Sequence, residues 1–218
     1  MPITLRSPPR GAAAVLASHL TELARDRKLP QRMPQIRMEA LSHSEAHPVY
    51  FVPLDALARG KLLDAAVQTG WRYLLVQDNA AVAEAELAVP RRGAKAAKSS
   101  KVANTAKPLE FASLTHGPFA AATVDALDAA ERLPQVERDD YEMRLIKIPA
   151  VYFVALWLHG AKGDLLIPMG DPPGGLKRNK PYTEAQVIEA LRGSVQQALR
   201  FDEAHREYKP KRRSPKKR

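Results

Sequence analysis

Nine consecutive residues without a charge, Ala150–Leu158 (AVYFVALWL), constrain this chain more than any other feature. The run is too short for a bilayer-spanning helix, which takes roughly 20 apolar residues. Its β-branched and aromatic content predicts a central strand buried on both faces. Before it, Glu142, Arg144 and Lys147 interrupt an apolar run from Tyr141, the pattern of a strand with one wet face. Pro149 has no amide to give a ladder and marks the break between the two. His159–Gly163 reads as a turn and Asp164–Met169 as a third strand, so residues 141–169 form an antiparallel meander.

The remaining elements follow from periodicity and punctuation. Ser7-Pro8-Pro9 opens a helix with Leu16, Leu20 and Leu23 on one face, ended by Pro30. Val49–Val52 is a short strand, and Leu54–Val67 a helical segment interrupted at Gly60 and closed by Gly70. Trp71–Gln77, the turn Asp78-Asn79 and Ala80–Val89 read as a hairpin, with helix the alternative for its alanine-rich second arm. Gly117-Pro118 opens a helix to about Arg132 that buries Phe119, Ala120, Val124 and Leu127 and stops at Pro134. Thr183–Gln186 is a capping box ahead of a stripe of Val187, Ile188, Leu191, Val195 and Leu199. The fold class is α+β: an antiparallel sheet with packed helices, as one large domain or two small halves of similar size. The boundaries are 1–89 for an N-terminal α+β half, 90–108 for a basic flexible linker or insertion, 109–208 for a C-terminal α+β half, and 209–218 for a basic disordered tail.

Charge is distributed unevenly. Of a net +10, six Lys/Arg lie in 91–107 and seven in 209–218, neither of which contains an acid, so the remainder carries about −3. Segments of this composition cannot bury a core. The polyanion-binding candidates are therefore Arg91, Arg92, Lys95, Lys98, Lys101 and Lys107, with Lys209, Lys211, Arg212, Arg213, Lys216, Lys217 and Arg218. Ser214-Pro215-Lys216-Lys217 resembles the Ser-Pro-Lys-Lys element of some histone tails, which implies contact with A·T-rich minor grooves. The chain has no cysteine, which excludes disulfides, thiolate nucleophiles and cysteine-ligated metals and fits a reducing compartment. His19 and Glu22 interrupt the N-terminal small-residue run, against a signal peptide, so a cytoplasmic location is expected, with an organellar presequence as the alternative.

Other clusters hold residue types that can carry chemistry. His43, Glu45 and His47 share one face of an extended segment, and two imidazoles with a carboxylate can ligate a metal; a polar loop before Pro48 explains them equally. Gly170–Lys177 has the spacing of a phosphate loop, but Leu176 stands where lysine belongs and Pro172-Pro173 removes amides. His116 precedes a helix and His159 lies near Asp164, both as turn residues without a serine elbow or partner motif. The aromatics Tyr50, Phe51, Trp71, Tyr73, Tyr152, Phe153 and Trp157 read as core first and as a stacking platform second.

With no catalytic constellation, the expectation is a non-enzymatic binding or scaffold protein without cofactor. Its basic linker and tail would contact a polyanion, above all nucleic acid, while the body docks a protein partner or a second copy. The alternative is a protein-interaction module such as an inhibitor, immunity factor or assembly subunit, accepting a strand on an edge at 71–89. The third reading is a metal-dependent hydrolase built on His43, Glu45 and His47.

Overall fold

A computed structural model describes residues 3–25, 33–90 and 109–207. The basic residues of 91–107 and of 209–218, and the expected helix end at Lys28–Pro30, lie outside the described residues. The fold is α+β. Nine strands form one mostly antiparallel mixed sheet: β1 (Ile3–Thr4), β2 (Ser42–His43), β3 (His47–Phe51), β4 (Val67–Gln77), β5 (Ala80–Ala88), β6 (Glu110–His116), β7 (Tyr141–Ile148), β8 (Phe153–Gly160) and β9 (Leu165–Pro168). Five helices are described: α1 (Ala12–Arg25), α2 (Leu54–Ala58), α3 (Pro118–Glu131), α4 (Pro134–Arg138) and α5 (Glu184–Glu207). Among them none is long and apolar enough to cross a membrane.

The strand order is β6-β5-β4-β3-β7-β8-β9, with β1 beside β7 and β2 beside β4. One sheet thus runs through both halves, which meet at the parallel β3–β7 pair, Val49 opposite Leu145. Alternation sends side chains to two faces. Over one, α1 covers Trp71, Tyr73, Leu75 and Leu87, and α5 covers Tyr50, Ile146, Phe153 and Trp157. Over the other, α3 covers Val49, Met143, Leu145, Leu156 and Leu158.

The meander forms as its composition dictates, with a later start to its second strand. Pro149–Val151 is a 3₁₀ turn closed by the Tyr152 amide on the Pro149 carbonyl at 3.1 Å. Tyr152 takes a left-handed conformation (φ 53, ψ 33), so β8 begins at Phe153 rather than Ala150. Tyr152 stands 90% exposed. The rest of β8 is buried on both sides, with Trp157 under α5 and Leu158 under α3. At α5 the capping box is made: the Gln186 side chain accepts from the Thr183 amide at 2.9 Å, and Val187, Leu191 and Val195 are buried.

Several expectations fail for identifiable reasons. The helix after β3 ends at Ala58, because Gly60 (φ +74) turns the chain out of it. Val67 already belongs to β4, and Gly70 lies inside that strand. Strand β6 falls in a stretch of the C-terminal half to which the sequence assigns no element; Glu110–His116 mixes small, polar and apolar residues and is specified by its pairing with β5. Helix α3 buries Ala120, Thr123, Ala126 and Ala130, leaving Phe119 and Val124 each 38% exposed. Small side chains bring this helix close to the sheet. Pro134 begins α4, where its missing amide costs nothing. The 71–89 hairpin is interior, not an edge: β4 is flanked by β3 and β5, and β5 by β4 and β6.

Gly70 is a test of this packing. A Cβ there would lie 2.2 Å from the Leu87 backbone oxygen of β5. Gly70→Ala is expected to destabilise by roughly 2 kcal/mol or more, a fall in Tm of about 4–8 °C by calorimetry. An unchanged Tm would contradict the β4–β5 approach.

Candidate functional site

The segment 43–47 is divided by the sheet. His43 pairs opposite Leu75 and His47 opposite Arg72, a register offset of one residue between β2 and β3 on the same partner strand. A one-residue slip reverses facing. His43 therefore lies edge-on to Tyr73, 5.3 Å between ring centroids, on the α1 side. Its Nδ1 donates to the Ser44 carbonyl at 2.9 Å. His47 is buried on the opposite face, while Glu45 is exposed in the connector. The structure does not gather these three, and among the described residues no group of three His, Cys, Asp or Glu could hold a metal ion.

His47 instead joins a buried ionic cluster. Arg72 Nη2 donates to Glu84 Oε1 at 2.9 Å and its Nε to Glu86 Oε1 at 3.1 Å; Lys147 also donates to Glu86. Arg72 is 2% exposed and Glu84 6%. Burial raises the Glu84 carboxyl above its usual range against the pull of Arg72 and Lys147. At Glu86 the same burial is outweighed by Lys147 and Arg72, which hold that carboxyl low. Burial, then Arg72 and Lys147, lower the His47 imidazole to about 3, so it is neutral in the folded protein. Two cations, Arg72 and Lys147, face two carboxylates, Glu84 and Glu86, across β4, β5 and β7, while His47 Nε2, Arg72 Nη1 and Glu84 Oε2 are buried without a hydrogen-bond partner among the described residues. The cluster ties β4 to β5 and β7, and its ionisable groups are turned into the protein rather than into an open cleft. Sequence reasoning missed it, and counting outward from the Asp78-Asn79 turn would set Arg72 opposite Ala85; the register shift between Leu75 and Val76 places Glu86 there instead.

The other candidates sit at strand ends and in a loop, His159 inside β8 rather than in the turn after it. His159 Nδ1 is 2.7 Å from Asp164 Oδ1, which also accepts from Trp157 Nε1 at 2.9 Å. His116 ends β6, with Nε2 2.6 Å from the Gln35 side-chain nitrogen. In the 170–181 loop Leu176 is buried and Gly174 presses on the Ala190 backbone. Among the strand aromatics Tyr50, Trp71, Tyr73, Phe153 and Trp157 are all buried, which removes them as a stacking platform.

The two ends of the sheet differ in charge. One end holds the close of β5, the start of β6, the β7–β8 turn and the loop after β9, with exposed Lys61, Lys177, Arg178 and Lys180. Those four cations make no ion pair among the described residues, although Asp64, Glu110 and Asp171 are exposed at the same end. The opposite end carries Asp78, Asp139, Asp140 and Asp164, with Arg37 on Asp78 and Lys162 on Asp139.

His47 makes stability depend on pH. Unfolded, it binds a proton below its ordinary 6.5; folded, it does not until about 3. Its contribution is complete above pH 6.5 and is lost as pH falls from there, by up to ~1.4 kcal/mol per unit. Urea midpoints should drop between pH 7 and pH 5, and His47→Gln should flatten that slope; an equal slope in both proteins would refute the assignment. No protein-family model, curated protein or solved structure matches the chain.

Proposed function

We propose that this chain is a non-enzymatic nucleic-acid-binding protein whose basic segments 91–107 and 209–218 contact the phosphate backbone while the α+β body serves as a rigid mount. One observation carries the reading: thirteen Lys/Arg and no acid in those two segments, against about −3 for everything else. The setting of the first segment supports it. Ala88 and Glu110 are directly paired, so β5 and β6 could be joined by a tight turn, and the basic run is an insertion the hairpin does not need. Each Lys or Arg docked on a phosphate releases condensed counterions, giving affinity that falls steeply with salt.

The test is fluorescence anisotropy with labelled single- and double-stranded DNA and RNA across a salt series. Full-length protein is compared with versions in which 91–107 is replaced by Asn-Gly, 209–218 is removed, or both. Binding by the full chain is expected, with affinity and salt slope reduced stepwise and nearly abolished in the double variant. Affinity and slope that survive the loss of both segments would sink the proposal.

A second reading, a protein-interaction module, is favoured by the outer edge of β6, which no other described strand pairs. From Glu110 to His116 it contains no Lys, Arg or Pro, the residues that ordinarily guard an edge against pairing. On this reading the protein self-associates or retains a partner in high salt, and Ala112→Lys disperses the assembly in light scattering. A monodisperse, partnerless wild-type monomer counts against it.

A further inference from the structure

We infer that the cationic end of the sheet docks single-stranded nucleic acid, with Tyr152 stacking on a base and Lys177, Arg178 and Lys180 on flanking phosphates. This rests on the nucleic-acid reading above and adds to it a place on the folded body and a preference for unpaired strands.

Tyr152 is the starting point. At 90% exposed it contrasts with the buried strand aromatics, and it crowns the tight turn between β7 and β8. Its left-handed backbone is a conformation that glycine takes freely and a side chain with a Cβ resists. Strain of this kind, held by the Pro149 ring and the Tyr152–Pro149 hydrogen bond, sets the phenol on a stiff pedestal facing solvent. A ring already fixed loses little freedom on contact.

The cations are brought alongside by the sheet. Pro168, at the close of β9, pairs with Ala155, three residues into the chain from Tyr152 and about 10 Å away at strand spacing. The Asn179 amide donates to the Pro168 carbonyl at 2.9 Å, pinning the loop that carries Lys177, Arg178 and Lys180 beside that strand. All three are exposed and outside any ion pair among the described residues; Asp171 is the acid on the same loop. The 91–107 insertion is rooted at this end through Ala88 and Glu110, and the carboxylates Asp139, Asp140 and Asp164 sit at the other. A polyanion is thus drawn to the end where the aromatic stands. Stacking needs a base whose face is free, which a single strand offers and a duplex hides.

The experiment uses the full chain, a fluorescein-labelled oligouridylate, and the same strand annealed to oligoadenylate. Tyr152→Gly relieves the backbone and keeps the fold, so a binding loss is not a folding loss; circular dichroism and Tm verify this. Tyr152→Gly should weaken single-strand binding about 5- to 100-fold and leave duplex binding within about twofold. Tyr152→Phe, which keeps the ring, should bind within about twofold of wild type. Replacing Lys177, Arg178 and Lys180 together by alanine should lower the single-strand salt slope by about two. If wild type binds both probes and neither Tyr152→Gly nor the triple variant differs from it, this inference is overturned and the role of the basic segments stands. If wild type binds neither probe, the nucleic-acid reading itself is overturned.

Discussion

The Arg72 guanidinium is the interaction on which the sheet depends. It sits at the middle of β4, pairs with Glu84 and Glu86 of β5, and shares Glu86 with Lys147 of β7, while His47 of β3 is buried beside it. Four strands drawn from both halves of the chain are thereby held to one register. Removing such charges from water is costly, and a buried ion cluster contributes less to net stability than its contacts suggest. What it supplies here is discrimination. A one-residue slip of β5 would carry Glu84 and Glu86 to the face where Ala83, Ala85 and Leu87 now pack under α1, and would leave Arg72 buried without a partner.

That constraint explains why some elements can be read locally and others cannot. The meander is legible because every signal in it agrees: charge-free β8, half-wet β7, Pro149 at the turn and Gly160 and Gly163 at the next. The Thr183–Gln186 cap and the α5 stripe are equally local. Strand β6 is not, since Glu-Phe-Ala-Ser-Leu-Thr-His has no strong preference and is a strand because β5 presents a ladder to it. The α3 face is misread for a related reason. The larger residues Phe119 and Val124 advertise a core, but the close approach to the sheet admits only Ala120, Thr123, Ala126 and Ala130.

The fate of His43 and His47 shows the same limit at the level of a site. Two residues apart twice over, they share a face on any regular strand. The break between β2 and β3 sends one to Tyr73 and the other to Arg72. Nothing between Ser42 and Pro48 announces that break, because it is fixed by β4 on the far side of the ladder. The Arg72–Glu86 pairing is hidden in the same way: counted from the Asp78-Asn79 turn Arg72 would face Ala85, and the bulge between Leu75 and Val76 moves it opposite Glu86.

Polarity between the two ends of the sheet is a property that no segment of the sequence contains. Lys61, Lys177, Arg178 and Lys180 come from two loops over a hundred residues apart, and the root of the basic insertion comes from a third. They reach one end because strands along the main path β6-β5-β4-β3-β7-β8-β9 alternate direction except at β3–β7, where the parallel pair returns the second half with the same sense as the first. Reversing β7 relative to β3 would put the β7–β8 turn and the loop after β9 among the carboxylates of the opposite end. The parallel contacts between the halves, β3–β7 and the short β1–β7, therefore decide whether the chain's separated cations act as one field. A field of that kind raises the local concentration of an anionic partner before any contact is made. Orientation of the body toward a polyanion is in this sense a consequence of strand direction, and is independent of the order or sequence of the basic segments themselves.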